Sequence, residues 1–157
     1  MEIVYCSGSK VCAGGEIVLI EEALALRERG CRSTVVAPRE LLDSKRFKAA
    51  SLARLIDARV FSDKLLPLAI GQLWLILIAR RADIAVAFTS EAVLPLGFAC
   101  LLAGVPMVLN CGTSSRWNDR YVWLMRFLAR KIVFVSHAAM TNALGSKAEP
   151  CKDTGWA

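Results

Sequence analysis

The chain of 157 residues is 55% hydrophobic and 22% charged, with a mean hydropathy of +0.45. That apolar excess excludes a disordered tail, a collagen-like repeat and a low-complexity segment, and the length suits one domain whose core needs no disulfide or metal staple. Twenty Lys and Arg against fourteen Asp and Glu leave a net charge of +6, which favours anionic partners such as phosphates, acidic lipid or nucleic acid without selecting one.

The six cysteines, Cys6, Cys12, Cys31, Cys100, Cys111 and Cys151, contain no C-x-x-C pair and accompany one histidine, His137. Neither a zinc site nor a redox dithiol is written in that pattern, so no metal is expected and the thiols read as reduced and mostly buried. Met1-Glu2 runs straight into apolar residues without a basic n-region, so no secretory signal is expected and the cytoplasm is the expected compartment. The apolar stretch 65–79 contains Pro67, Gly71 and Gln72 and stops at Arg80-Arg81, short of the roughly 20 residues a bilayer span takes.

In chain order, apolar runs of strand length alternate with segments of helix length. Strand 1–6 (MEIVYC) precedes a helix over 16–29, strand 33–37 (STVVA) and a charged helical stretch from 39 to about 57. A short strand over 58–61 is followed by a helix over 67–80, strand 84–88, helix 91–103 and strand 107–109. The series closes with helix 119–129, strand 132–135 and helix 137–144. Runs such as IAVAF and IVFVS are apolar on both faces, the pattern of parallel strands covered by helices on two sides, and repeated strand–helix units imply right-handed crossovers. The expected fold is therefore α/β: a doubly wound, mostly parallel, Rossmann-like sheet in one domain over residues 1–145, with an irregular tail over 146–157. Gly30 after Arg27-Glu28-Arg29, and Gly104 before Val105-Pro106, are expected helix stops.

Ligands of open parallel sheets sit beyond the carboxyl ends of the strands, so three loops are candidates. The first, 7–15 (SGSKVCAGG), is glycine-rich and runs into a helix, where free N–H groups and the helix dipole suit an anion. Its spacing fits neither the P-loop nor G-x-G-x-x-G, and Pro38-Arg39 stands where an NAD enzyme places a ribose-binding acid, which speaks against a dehydrogenase. The bland reading of Gly14-Gly15 is a tight turn. The second loop, Asn110 to Trp117, offers Gly112, Thr113, Arg116 and a stacking ring, although by itself it reads more readily as a solvated loop whose Trp covers the core edge. The third is Ser136-His137, with Ser136 suited to cap a helix and His137 either a proton donor or an ordinary surface residue. Basic residues cluster at Arg39, Lys45, Arg46, Lys48 and Arg54, and again at Arg116, Arg120, Arg126, Arg130 and Lys131. A solvated face is the default for them, attachment to anionic lipid the sharper alternative, and nucleic acid is not expected because aromatics are not interleaved.

Three blocks in order, AGGEIVLIEEALALRERGCRSTVVAP, RADIAVAFTSEAVLPLGFACLLAGVPMVLN and ARKIVFVSHAA, resemble the N-terminal half of the GT-B glycosyltransferases of the family-4 type over about residues 1–145. The resemblance implies half of a two-domain fold, the acceptor-side domain of a retaining enzyme that moves a sugar from a nucleotide sugar to a lipid or glycan acceptor, with no cofactor beyond that donor substrate and no strict metal need. It places Gly14 and Glu16 on the glycine-rich loop near the donor diphosphate and Ser136 after the last strand; Gly15, between the first two, is a candidate phosphate contact from the loop reading alone. Ala13 departs from the family's first glycine, Cys111-Gly112 from a frequent histidine, and Cys31 from another. The C-terminal domain with its paired glutamates has no counterpart in the chain, so the chain is expected to be inactive without a C-terminal donor domain or a partner chain that supplies it. Two other readings stand beside this one: a non-catalytic module binding a protein partner or an anionic membrane surface, peripheral at the membrane, and a nucleotide-binding GT-B enzyme of another type, such as an epimerase.

Overall fold

The computed structural model of the chain describes residues 1–50, 52, 54–57, 66–111 and 119–144. Six strands, β1 (Glu2–Cys6), β2 (Arg32–Ala37), β3 (Leu55–Asp57), β4 (Ile84–Ala87), β5 (Met107–Cys111) and β6 (Lys131–Phe134), form one sheet in the order β3-β2-β1-β4-β5-β6. Every neighbouring pair is parallel, so each connection crosses over a face of the sheet, and the order reverses between β1 and β4. That reversal is the topological switch point where doubly wound sheets open a crevice.

The connections are helical: α1 (Gly14–Glu28), α2 (Arg39–Leu42), α3 (Lys45–Ala49), α4 (Leu66–Arg80), α5 (Ser90–Ala103), α6 (Asp119–Leu128) and α7 (His137–Leu144). Alternation along the strands divides the core in two. Val4, Cys6, Val36, Ala85, Ala87, Met107 and Leu109 meet α4, α5 and α6 through Leu73, Leu77, Leu96, Ala99 and Met125. Ile3, Tyr5, Val35, Ala37, Val86 and Phe88 meet α1 to α3 through Leu19, Ala23, Leu41 and Phe47. Gly30 and Gly104 adopt φ of +79° and +68° at the ends of α1 and α5, the left-handed stop the sequence predicts.

Four expectations change. The charged stretch 39–57 is two short helices and a strand: Ser44 interrupts it by accepting from the Phe47 N–H at 3.5 Å as the cap of α3. The third strand lies at Leu55–Asp57, paired with Val35, Val36 and Ala37 of β2, rather than over 58–61, which lies outside the described residues. Its Leu-Ile pair suits a strand, but flanking Arg54 and Asp57 make the segment read as polar. The first helix begins two residues early, at Gly14, so Gly14 and Gly15 form its first turn instead of a tight turn. The last strand starts at Lys131 and is an edge strand with alternating exposure, so Val133 and Val135 are exposed despite a run that reads as buried on both faces. The expected tail, 146–157, lies outside the described residues.

The amino edge of the sheet is closed by a buried carboxylate. Glu2 is 1% exposed; Thr34 Oγ1 donates to its Oε1 at 2.8 Å and Arg32 Nε pairs with Oε2 at 3.2 Å. The Glu2 N–H donates to Asp83 Oδ2 at 2.6 Å, and the Asp83 N–H returns to the Glu2 carbonyl at 2.9 Å. This ties β1 to β2 and β4 at the edge opposite the candidate site.

Candidate functional site

The carboxyl end of β1 delivers the chain into a loop built around Glu16. Although it lies in the first turn of α1, its side chain turns inward and is 4% exposed. Ser7 Oγ donates to Glu16 Oε1 at 3.2 Å and the Ala13 N–H donates to Oε2 at 3.1 Å. The second contact is half of a capping box; Ala13 cannot return the other half, and its extended backbone needs no glycine. The Ser9 N–H donates to Ser7 Oγ at 3.2 Å, so the loop is folded on its own polar groups. Glu16 is thereby committed to the loop, while Lys10 is exposed.

Gly14 and Gly15 are exposed, have ordinary helical φ, and a Cβ at either position would meet nothing within 4 Å. The fold therefore does not require glycine there. What the two glycines leave is uncovered backbone at the start of a helix of 15 residues, where the first N–H groups have no intrahelical acceptor and the dipole is positive.

The loop after β4 reaches across the switch point. The Gly8 N–H donates to Thr89 Oγ1 at 2.7 Å, joining residues 81 apart in sequence. Thr89 is the N-cap position of α5 but makes no side-chain cap bond, because its hydroxyl is engaged with Gly8. Sequence reasoning missed this residue; the signal was a hydroxyl directly after the strand IAVAF and before a helix. Beneath the loop, burial pushes the Cys6 thiol far above its ordinary range and the Cys100 thiol up to about 12, so neither supplies a thiolate.

Ser136 caps α7 as its sequence position suggests, accepting from the Ala139 N–H at 3.1 Å. His137 follows it, exposed, with Nδ1 3.5 Å from Thr141 Oγ1. Both share the carboxyl edge with the glycine-rich loop, but β6 is three strands from β1, roughly 14 Å at ordinary strand spacing. They form a second station along one edge, not a cluster with Gly14. Cys111 ends β5 between the two and is buried. Gly112, Thr113 and Arg116 lie outside the described residues. Among the described residues, no three His, Cys, Asp or Glu side chains gather in a way that can hold a metal ion.

Sheet order, crossovers and a helix N-terminus at the switch point define a Rossmann-like domain of the kind that forms half of a GT-B enzyme. The Glycosyltransferase Family 4 model matches residues 13–148, and the chain belongs to that family. Solved structures agree on the fold. A putative UDP-N-acetylglucosamine 2-epimerase from Listeria monocytogenes superposes with a TM-score of 0.70 at 17% identity, over 95% of this chain and 43% of that one. MurG from Acinetobacter baumannii gives 0.68 at 12% identity, over 88% and 43%. Anabaena Alr3699/HepE in complex with UDP gives 0.67 at 19% identity, over 90% and 40%. The chain thus spans about two fifths of the length of these structures. No curated protein matches it in sequence.

Proposed function

We propose that this chain is the acceptor-side domain of a retaining glycosyltransferase that moves a sugar from a nucleotide sugar to a lipid or glycan acceptor at the cytoplasmic side. The observation that carries the reading is the bare first turn of α1: Gly14 and Gly15 meet no protein atom that a Cβ would displace, yet stand beside the switch point in the turn whose N–H groups have no intrahelical acceptor. A diphosphate gains charge-assisted hydrogen bonds there, and any side chain would stand between it and the backbone. Membership of a glycosyltransferase family and the UDP bound in the Anabaena structure support the choice of a nucleotide sugar.

In this reading Thr89 and Glu16 are positioning residues that hold the loop, and the Gly112, Thr113, Arg116 loop with Ser136 and His137 lines the acceptor side. Cys111 stands where many members carry a histidine, and a buried thiol does not reproduce an imidazole's hydrogen bonds. The donor-binding half comes from a further domain or a partner chain, and transfer requires both halves to close on the donor.

The test mixes the chain with the donor-binding domain of a family member and follows sugar transfer and UDP binding. Transfer is expected only in the mixture, and Gly14→Val, which fills open space and leaves the fold intact, is expected to weaken UDP binding about tenfold or more, some 1.4 kcal/mol. No transfer in any mixture, together with unchanged UDP binding by Gly14→Val, overturns the reading. Conversion of UDP-N-acetylglucosamine to an epimer instead of transfer reassigns the chain to the other GT-B chemistry.

A further inference from the structure

The layer formed by α4, α5 and α6 covers one face of the sheet with its inner side chains, while its outer side is unusually apolar. On α4, Leu68, Leu75 and Ile78 recur at i, i+7 and i+10 and are each at least half exposed. On α5, Leu101 and Leu102 are exposed, and on α6 Trp123 (68%) and Phe127 (57%) stack with ring centroids 5.8 Å apart and planes within 6°. Isolated exposed leucines are ordinary. A run of them across three adjacent helices, ending in a solvent-facing Trp–Phe pair, is an interaction surface.

Charge says what it fits. The three helices contain only two acids, Glu91 and Asp119, both in first turns at the carboxyl edge of the sheet. At the other edge stand Arg80 and Arg81, where α4 ends, and Arg126 and Arg130, where α6 ends. Among the described residues none of these four is ion-paired. On α6, Arg120, Trp123 and Phe127 fall at i, i+3 and i+7, so one stripe of the helix reads cation, aromatic, aromatic, and Arg130 follows two residues beyond the helix end. We propose that this face docks on an anionic lipid bilayer, with Trp123, Phe127 and the leucines of α4 and α5 entering the headgroup boundary and the arginine edge meeting acidic headgroups. Among the described residues no helix is long and apolar enough to cross a membrane, so the layer lies in the interface plane. A second copy on the same face would have to accommodate the four guanidiniums, whereas the acids of these helices, Glu91 and Asp119, stand at the opposite edge and Asp83, at the arginine edge, already accepts from the Glu2 N–H. The docking face is a flank of the sheet and leaves the carboxyl edge, with the glycine-rich loop, unobstructed. The inference does not depend on transferase activity.

The test is flotation of the full chain with vesicles of phosphatidylcholine alone or mixed with phosphatidylglycerol. Binding is expected only with the acidic lipid, weakening as salt shortens the screening length. Trp123→Ser with Phe127→Ser is expected to reduce it more than about tenfold, from the lost apolar contact. Arg126→Glu with Arg130→Glu is expected to abolish the preference for acidic lipid, while thermal melting and UDP binding of both variants stay as in the parent. Absence of flotation, equal flotation with neutral vesicles, or unchanged binding by the aromatic double variant each overturns the proposal. A dimer in light scattering that the aromatic variant dissociates, without flotation, assigns the face to a second copy instead.

Discussion

At the residue scale, Glu16 separates two roles that its position in sequence leaves merged. A carboxylate in the first turn of a helix that receives a phosphate would repel the ligand, yet here it is turned inward and its two oxygens accept from Ser7 and Ala13. Glu16→Ala leaves the buried Ser7 hydroxyl without its acceptor, so a loss of about 1 to 3 kcal/mol in unfolding free energy is expected by denaturant titration. Glu22 behaves differently. Burial raises its carboxyl above the ordinary 4.5, and the hydrogen bond from Tyr5 only partly opposes this. Because the folded state holds that proton more tightly than the unfolded chain, stability falls as pH rises from about 4.5 through the folded value. Glu22→Gln keeps an acceptor for the Tyr5 hydroxyl and removes the charge. Its melting temperature is expected to exceed the parent's at neutral pH and to converge with it below about pH 4; a variant less stable at neutral pH would show that the charge itself is favourable.

At the element scale, the alternation of strands and helices was legible because Gly30, Gly104 and Pro106 break the chain where strand and helix periods change. The exceptions have physical causes. Two-residue apolar content in β3 is too short to stand out between charged neighbours, and edge exposure of β6 depends on strand order, which no local run encodes. The site was legible only as loops. That Thr89 meets Gly8 follows from β1 lying beside β4, a juxtaposition made by topology, whereas Ser136 as a helix cap is local and could be read directly. Helix packing yields a test of its own. Gly97 on α5 faces α6 so closely that a Cβ would stand 2.9 Å from Leu128 Cδ1 and 3.0 Å from its Cβ. The methyl can swing aside but the Leu128 Cβ moves only with its helix, so Gly97→Ala is expected to destabilise the chain by about 1 to 3 kcal/mol through overpacking. Leu128→Ala in the same chain should recover part of that loss in a double-mutant cycle, because the two sites share one contact.

At the scale of the whole molecule, protection is graded across the sheet from its centre to its edges. Every residue of β1 is buried and the strand has partners on both sides, whereas β3 has three residues and β6 alternates between exposed and half-buried positions. Local opening is cheapest where few apolar contacts are lost. Hydrogen exchange is therefore expected to be slowest in β1 and β4 and fastest in β3 and β6. The same measurement bears on how the chain works with a second domain. Val133 and Val135 present exposed apolar surface on the β6 edge, beside the Ser136–His137 station. If a donor-binding half docks against this edge, amides over 131–137 gain protection when the two halves are mixed while those of β3 do not. Protection gained instead over α4 to α6 would place the partner on the apolar flank and compete with lipid for it, and protection gained nowhere would mean that the two halves meet only through the ligand.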